Sequence, residues 1–283
     1  LEAALGLAAS ASAGLFAFLG GGGDVKRLHA GHAAREGLTA ALLAAEGVGG
    51  PPAVLEAPDG FFQAFAFGRG GAGRPLALPP EAPFGITDCY IKPYACCRHL
   101  QPAVEALMAL VAEHGLQEAD VRSIDVETYA IAAEHAHTGW DDFASAQLSF
   151  PFIMALGLRH GAIELAHFAP DALRDPALAD ICARVHVSVD ADLDRTYPEL
   201  RPARVTLTTS AGQLSREVPE ALGSRLVPLD DAGLERKFRS LTTPVLGEGA
   251  AERLLDALLH AEDSADVSPL LDLAALPPAE DRR

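Results

Sequence analysis

The chain opens on an almost unbroken apolar run, LEAALGLAASASAGLFAFL over residues 1–19, which ends in the Gly20–Gly23 stretch. The pattern predicts a buried helix stopped by glycine. A loop carrying Asp24, Lys26 and His29 is expected next. Apolar positions then recur at helical spacing over 31–46, where Ala34, Leu38, Ala41, Leu42 and Ala45 share one face. Gly47 and Gly49-Gly50-Pro51-Pro52 should stop that helix. Phe61, Phe62, Phe65 and Phe67 read as an aromatic core cluster. Residues 68–83, GRGGAGRPLALPPEAP, break all periodicity and mark a domain boundary.

Beyond that boundary the texture changes. Pro102 suits the first turn of a helix over 102–114 closed by Gly115. Alternation at Ile124 and Val126 predicts a strand within 121–131, and helices are expected around 145–157 and 160–168. Val185, Val187 and Val189 alternate, as do Val205 with Leu207 and Leu214 with Val218 across a turn at Ala211-Gly212. These three segments are expected to be antiparallel strands, the last two forming a hairpin. Residues 229–261 return to a helical pattern, and the acidic, proline-containing tail should be loose.

Composition narrows the function. Of 283 residues 49% are hydrophobic, 22% charged and only 6% aromatic, which fits a globular, helix-rich fold. The net charge of −17 argues against non-specific nucleic-acid binding, which needs a cationic surface. Glu2 and the missing basic flank argue against a signal peptide or membrane span in the first twenty residues. Because the chain starts with Leu1 and enters directly in helical sequence, further sequence is expected upstream, and the first helix should leave apolar surface exposed without it. Four cysteines, at 89, 96, 97 and 182, have no metal-cluster or disulfide-scaffold spacing, and reduced thiols in a cytoplasmic protein are the expectation.

An acidic protein that binds anionic substrates must gather its positive charge locally. The chain has only three lysines, Lys26, Lys92 and Lys237, among 22 Lys and Arg. Either they are leftovers of a coding bias toward arginine, or they stand where a compact ammonium is needed. Two of them fall in dense polar clusters. Lys26-Arg27-Leu28-His29 lies just before a helix start, where two cations could clamp a polycarboxylate while an imidazole moves a proton, or where a polar surface loop simply ends. Lys92-Pro93-Tyr94-Ala95-Cys96-Cys97-Arg98-His99 packs a lysine, two thiols, an arginine and a histidine into eight residues. Adjacent cysteines do not suit one metal ion, and buried thiols beside an anion site are the ordinary reading.

These two stretches carry a resemblance. KRLHAGHAAREGLTAALLAAEGVGGPPAVLEAPDGFFQAFA and IKPYACCRHLQPAVEAL resemble, in order and spacing, the two patterns of the MmgE/PrpD family, whose best-known members are 2-methylcitrate dehydratases. The LERKFRSL stretch looks like that family's carboxy-terminal end, so the chain resembles a carboxy-terminal portion lacking an amino-terminal helical half. The resemblance implies a mainly α fold with an α+β insert. Helical-domain portions would be residues 1–68 and 225–283, joined through a linker at 69–83 to an α+β lid at 84–224. It implies a homodimer, no metal or organic cofactor, and an active site between the domains, with no membrane or nucleic-acid partner.

The implied activity is a cofactor-independent lyase, a dehydratase of a hydroxy polycarboxylate such as 2-methylcitrate. An epimerase or isomerase, a decarboxylase of a related di- or tricarboxylate, and a non-catalytic family member are the alternatives. Lys26 and Lys92 would reach the site from opposite domains as catalytic cations, with His29 as a weaker proton carrier. Arg27, Cys97 and Arg98 would contact substrate. Cys97 sits where the cis-aconitate decarboxylase branch looks to carry a His, and Ala95 replaces a common Pro. Lys237, in the carboxy-terminal helices, is expected to be a surface residue outside the site.

Overall fold

The computed structural model describes residues 1–15, 17, 25–65 and 85–275. The linker expected at 69–83, the Gly20–Gly23 stretch and Phe67 lie outside the described residues. The chain divides into two compact units, Leu1–Phe84 and Gly85–Arg283. No helix among the described residues is long and apolar enough to cross a membrane.

In the first unit, helix α1 (Glu2–Ser10) packs on helix α2 (Val25–Ala45), and a short helix α3 (Phe61–Phe65) stacks the rings of Phe61 and Phe65 at 4.8 Å. Three expectations are corrected here. Helix α1 ends at Ser10 rather than running to 19, its only buried residue being Gly6. Lys26 and His29 do not sit in a loop, because α2 begins at Val25. The face carrying Leu38 and Leu42 is not the packed one: they are 64% and 60% exposed, whereas Ala40 is buried. The reason is size. Helix α1 is made largely of Ala and Gly, and the chain after α2 lies hard against it. A Cβ on Gly6 would meet the Pro51 carbonyl oxygen at 2.6 Å, and one on Gly50 would meet the Ala3 carbonyl oxygen at 2.3 Å. Gly47, at φ 85°, follows the end of α2, and the Gly-Gly-Pro-Pro segment docks on α1.

The second unit holds the sheet. Helix α4 (Gln101–His114) starts with Pro102 in its first turn and ends on Gly115, whose φ of 62° is left-handed. Strand β1 (Val121–Thr128) follows, then helices α5 (Phe150–His160) and α6 (Pro176–Cys182). Strands β2 (Val185–Val189), β3 (Ala203–Thr209) and β4 (Gly212–Val218) complete a four-stranded sheet of order β2-β1-β3-β4. Helices α7 (Asp231–Leu246) and α8 (Glu248–Leu259) come next, and the tail carries a short α9 (Ser268–Ala274).

The hairpin β3–β4 and the antiparallel β1–β3 pair agree with the alternation. Strand β2, expected antiparallel, is parallel to β1, with Val126 opposite Val187. The connection between the two strands explains the difference: it is long and helical, so it carries the chain back to the starting edge, as parallel pairing requires. Of the helices expected around 145–157 and 160–168, the first is a short turn of helix at Phe143–Ala146 followed by α5, and the second is reduced to a 3-10 turn at Leu165–Phe168. Ser149 caps α5 by accepting from the Phe152 amide, and Gly161, at φ 61°, ends it. The core forms between the sheet, α4 and α5, around Leu107, Ile124, Tyr129, Phe152 and Met154, all fully buried. The fold is mainly α with an α+β part.

Candidate functional site

The segment before α4 is held rigidly by backbone groups, which is why its side chains have defined directions. The buried Gln101, 1% exposed, accepts from the Tyr94 amide at 3.3 Å. Its Nε2 donates to the Tyr94 carbonyl at 3.1 Å and to the Cys96 carbonyl at 3.2 Å. Ala95 donates to the Ile163 carbonyl, Cys97 to the Gln147 carbonyl, and Ile91 to the Gly223 carbonyl at 2.8 Å. Gly223 has φ 84°, and a Cβ there would meet the Ile91 oxygen at 1.9 Å, so only glycine fits.

On one side of this segment lies a cleft of about 660 Å³ within the second unit. Lys92 and Tyr94 form one wall, and Gly233, Arg236, Lys237 and Ser240 of α7 form another. The Lys92 ammonium donates to the Cys96 carbonyl at 3.1 Å. The Lys237 ammonium donates to the backbone carbonyl of Lys92 itself. Lys237 is therefore not the detached surface residue expected of it. Burial, and then the nearby Lys92 charge, lower its pKa. Rarity was the only sequence signal for it, one of three lysines, and its place on α7 is set by a tertiary contact 145 positions away.

Pro93 to Cys96 line the cleft with Lys92, and beyond them the side chains of residues 97–99 turn away from it. Cys96 is buried, and burial raises its thiol pKa far above the ordinary value. Cys97 Sγ is 3.9 Å from His135 Nε2. Arg98 pairs with the buried Glu220 at 2.7 Å and lies 3.8 Å over the Tyr90 ring. Its Nη1 is buried with no hydrogen-bond partner among the described residues. His99 Nδ1 is 2.5 Å from the Tyr129 hydroxyl. Burial first, then His135, Arg201 and Arg98, lower the His99 pKa to about 4, so the ring is neutral at physiological pH. Cys97 and Arg98 are not among the side chains lining the Lys92 cleft. His135 and Tyr129 join them through the fold alone, since no motif joins residues 97–99 to 129 and 135.

The other predicted residues lie in the first unit. Lys26 and Arg27 are exposed in the first turn of α2. His29, with His32, Glu36 and Ser12, lines a mainly apolar cavity of about 900 Å³ against α1 and α3. Among the described residues no group of three or more His, Cys, Asp and Glu gathers as metal ligands would.

Comparison with known proteins gives both halves of one family. The MmgE/PrpD C-terminal domain matches residues 94–263, and the MmgE/PrpD N-terminal domain matches residues 1–71. A cis-aconitate decarboxylase of Aspergillus terreus is 29% identical over 98% of this chain and 60% of its own length. A cis-aconitate decarboxylase-like protein, oryM, of Aspergillus oryzae is 27% identical over 96% of this chain and 59% of its own. The chain thus spans about three fifths of the length of these relatives.

Proposed function

This chain belongs to the MmgE/PrpD family, and from that premise we propose that it forms part of a lyase acting on a small tricarboxylate, with cis-aconitate the first substrate to test. One observation carries the reading: a chain of net charge −17 keeps Lys92, Arg236 and Lys237 together on one cleft. The sequence similarity to proteins named cis-aconitate decarboxylase supports the substrate class.

The chemistry asks little beyond placed charge. When a C–CO₂⁻ bond breaks, the electron pair stays on carbon, delocalises through the neighbouring double bond onto a remaining carboxylate, and is quenched by a proton. Ammonium groups at that carboxylate stabilise the charge as it develops. Lys92 is assigned that role here; for the first unit, the family resemblance supports Lys26 and Arg27 as carboxylate contacts and His29 as a proton carrier. The resemblance also supports Cys97 and Arg98 as substrate contacts, although neither lines the Lys92 cleft. A homodimer belongs to the same proposal and is read by light scattering.

A second reading is dehydration of a hydroxy tricarboxylate such as 2-methylcitrate. Cys97 favours it, because the resemblance puts a His there in the decarboxylase branch. The same cations would serve, since loss of an α-proton also loads charge onto a carboxylate.

The test incubates the protein with cis-aconitate and, separately, with 2-methylcitrate, following CO₂ release and proton NMR. Release of CO₂ from cis-aconitate supports the first reading, and loss of water from 2-methylcitrate without CO₂ supports the second. Lys92→Met should lower kcat/KM by ~10²–10³ in either case. Turnover of neither compound, or full turnover by Lys92→Met, overturns the proposal.

A further inference from the structure

We propose that Lys237 is a substrate-binding residue, forming with Lys92 and Arg236 a carboxylate seat in the cleft between α7 and the segment before α4. This rests on the reading of the protein as a tricarboxylate enzyme and adds to it residues from a helix that neither lysine motif contains.

The first observation is uncompensated charge. The chain has 39 acidic residues, and four of its partly buried arginines use them: Arg98 pairs with Glu220, Arg159 with Glu118 and Asp175, Arg204 with Glu127, Asp190 and Glu217, and Arg239 with Glu235 and Glu252, whereas Arg184 and Arg201 donate to backbone carbonyls. Lys92, Arg236 and Lys237 pair with no carboxylate among the described residues. Among the described residues lining the cleft, Glu164 is the acidic one, and it forms no ion pair with any of the three cations.

The second observation is geometry. Each lysine donates one hydrogen bond to a backbone carbonyl, Lys92 to that of Cys96 and Lys237 to that of Lys92. An ammonium has three donors, so each keeps donors for a ligand while its position is fixed. The link from Lys237 to Lys92 holds two like charges in one cleft, an arrangement that a bound anion relieves. The third is packing. Gly233 is buried where α7 meets the cleft, and Asp230 caps the helix by accepting from the Gly233 amide at 2.8 Å. A Cβ on Gly233 would lie 2.8 Å from that capping oxygen and 3.0 Å from Leu229, so a glycine keeps the start of α7 close at this point. The cleft of about 660 Å³ has room for a small polycarboxylate.

Three lysines make the test direct. Reductive methylation with ¹³C-formaldehyde keeps the charge and labels Lys26, Lys92, Lys237 and the amino terminus, each assigned by a Lys→Arg variant. Tricarballylate, an unreactive tricarboxylate, is then titrated against sodium chloride of equal ionic strength. The proposal expects saturable shifts at both Lys92 and Lys237 that chloride does not reproduce. Calorimetry on unmethylated protein should show Lys237→Met weakening tricarballylate about tenfold or more, with Lys237→Arg retaining most of the affinity. Shifts at Lys92 without Lys237, or unchanged affinity in Lys237→Met, overturn it. Turnover separates the two readings. If wild type and Lys237→Met decarboxylate cis-aconitate with equal KM, the activity stands and the role of Lys237 falls. If tricarballylate binds as expected but no tricarboxylate is turned over, the seat stands and the lyase reading falls.

Discussion

The ammonium of Lys237 is bonded to the backbone carbonyl of Lys92, across 145 positions of sequence. Helix α7 is thereby tied to the one segment that carries a lysine, two cysteines, an arginine and a histidine in succession. The tie fixes the backbone from which the Lys92 side chain departs. A substitution on α7 therefore acts on Lys92 as well as on its own contact.

Gly223→Ala should destabilise the second unit by about 2 kcal/mol or more. The left-handed φ of 84° disfavours alanine, and the new methyl would overlap the Ile91 oxygen. Urea unfolding measures the loss. An alanine variant with the wild-type midpoint would show that the 91–223 backbone contact is not maintained in solution.

Gln101→Leu keeps most of the side-chain volume but strips partners from the Tyr94 amide and the Tyr94 and Cys96 carbonyls. Leaving buried backbone groups unpaired costs about 1–3 kcal/mol each, not additively. The segment should loosen, so Cys96, fully shielded in the wild type, should become reactive toward a disulfide reagent at neutral pH. Unchanged thiol kinetics would count against this role for Gln101.

Glu220→Ala removes the carboxylate that neutralises Arg98, in a pair whose side chains are only 15% and 6% exposed. Breaking a buried pair from one side leaves an uncompensated charge, which costs about 3–5 kcal/mol. Replacing Arg98 and Glu220 together by Met and Leu should recover much of that loss. Thermal unfolding of the single and double variants forms the cycle, and additive losses would exclude the coupling.

His99 gives a pH signature. Its folded pKa of about 4 lies below the ordinary value of 6.5, so the unfolded chain binds the extra proton first. Stability from this group is complete above about pH 6.5 and is lost as pH falls toward 4. Because the ring keeps partial solvent access, the contribution is discounted to roughly 1–2 kcal/mol. His99→Gln retains an oxygen for the Tyr129 hydroxyl and removes the titration. Its unfolding free energy should vary less between pH 6.5 and 4 than that of the wild type; parallel curves would rule His99 out as the source.

Most elements were legible in the sequence because their signals are local. Pro102 and Gly115 bound α4 by backbone preference, and Gly212 with alternating neighbours marks the β3–β4 turn. The two lysine motifs marked the family as well, since spacing within a motif survives without knowledge of the fold. What the tertiary structure decided is non-local. Strand β2 carries the same alternation whether it pairs parallel or antiparallel, and the helical connection through α5 chose parallel. Helix α2 has a convincing Leu38 and Leu42 stripe, yet both are exposed and Ala40 is the residue buried. The same limit hid Lys237 and His135: a side chain's partners depend on where distant segments dock, and hydrophobic period encodes only which face an element can bury.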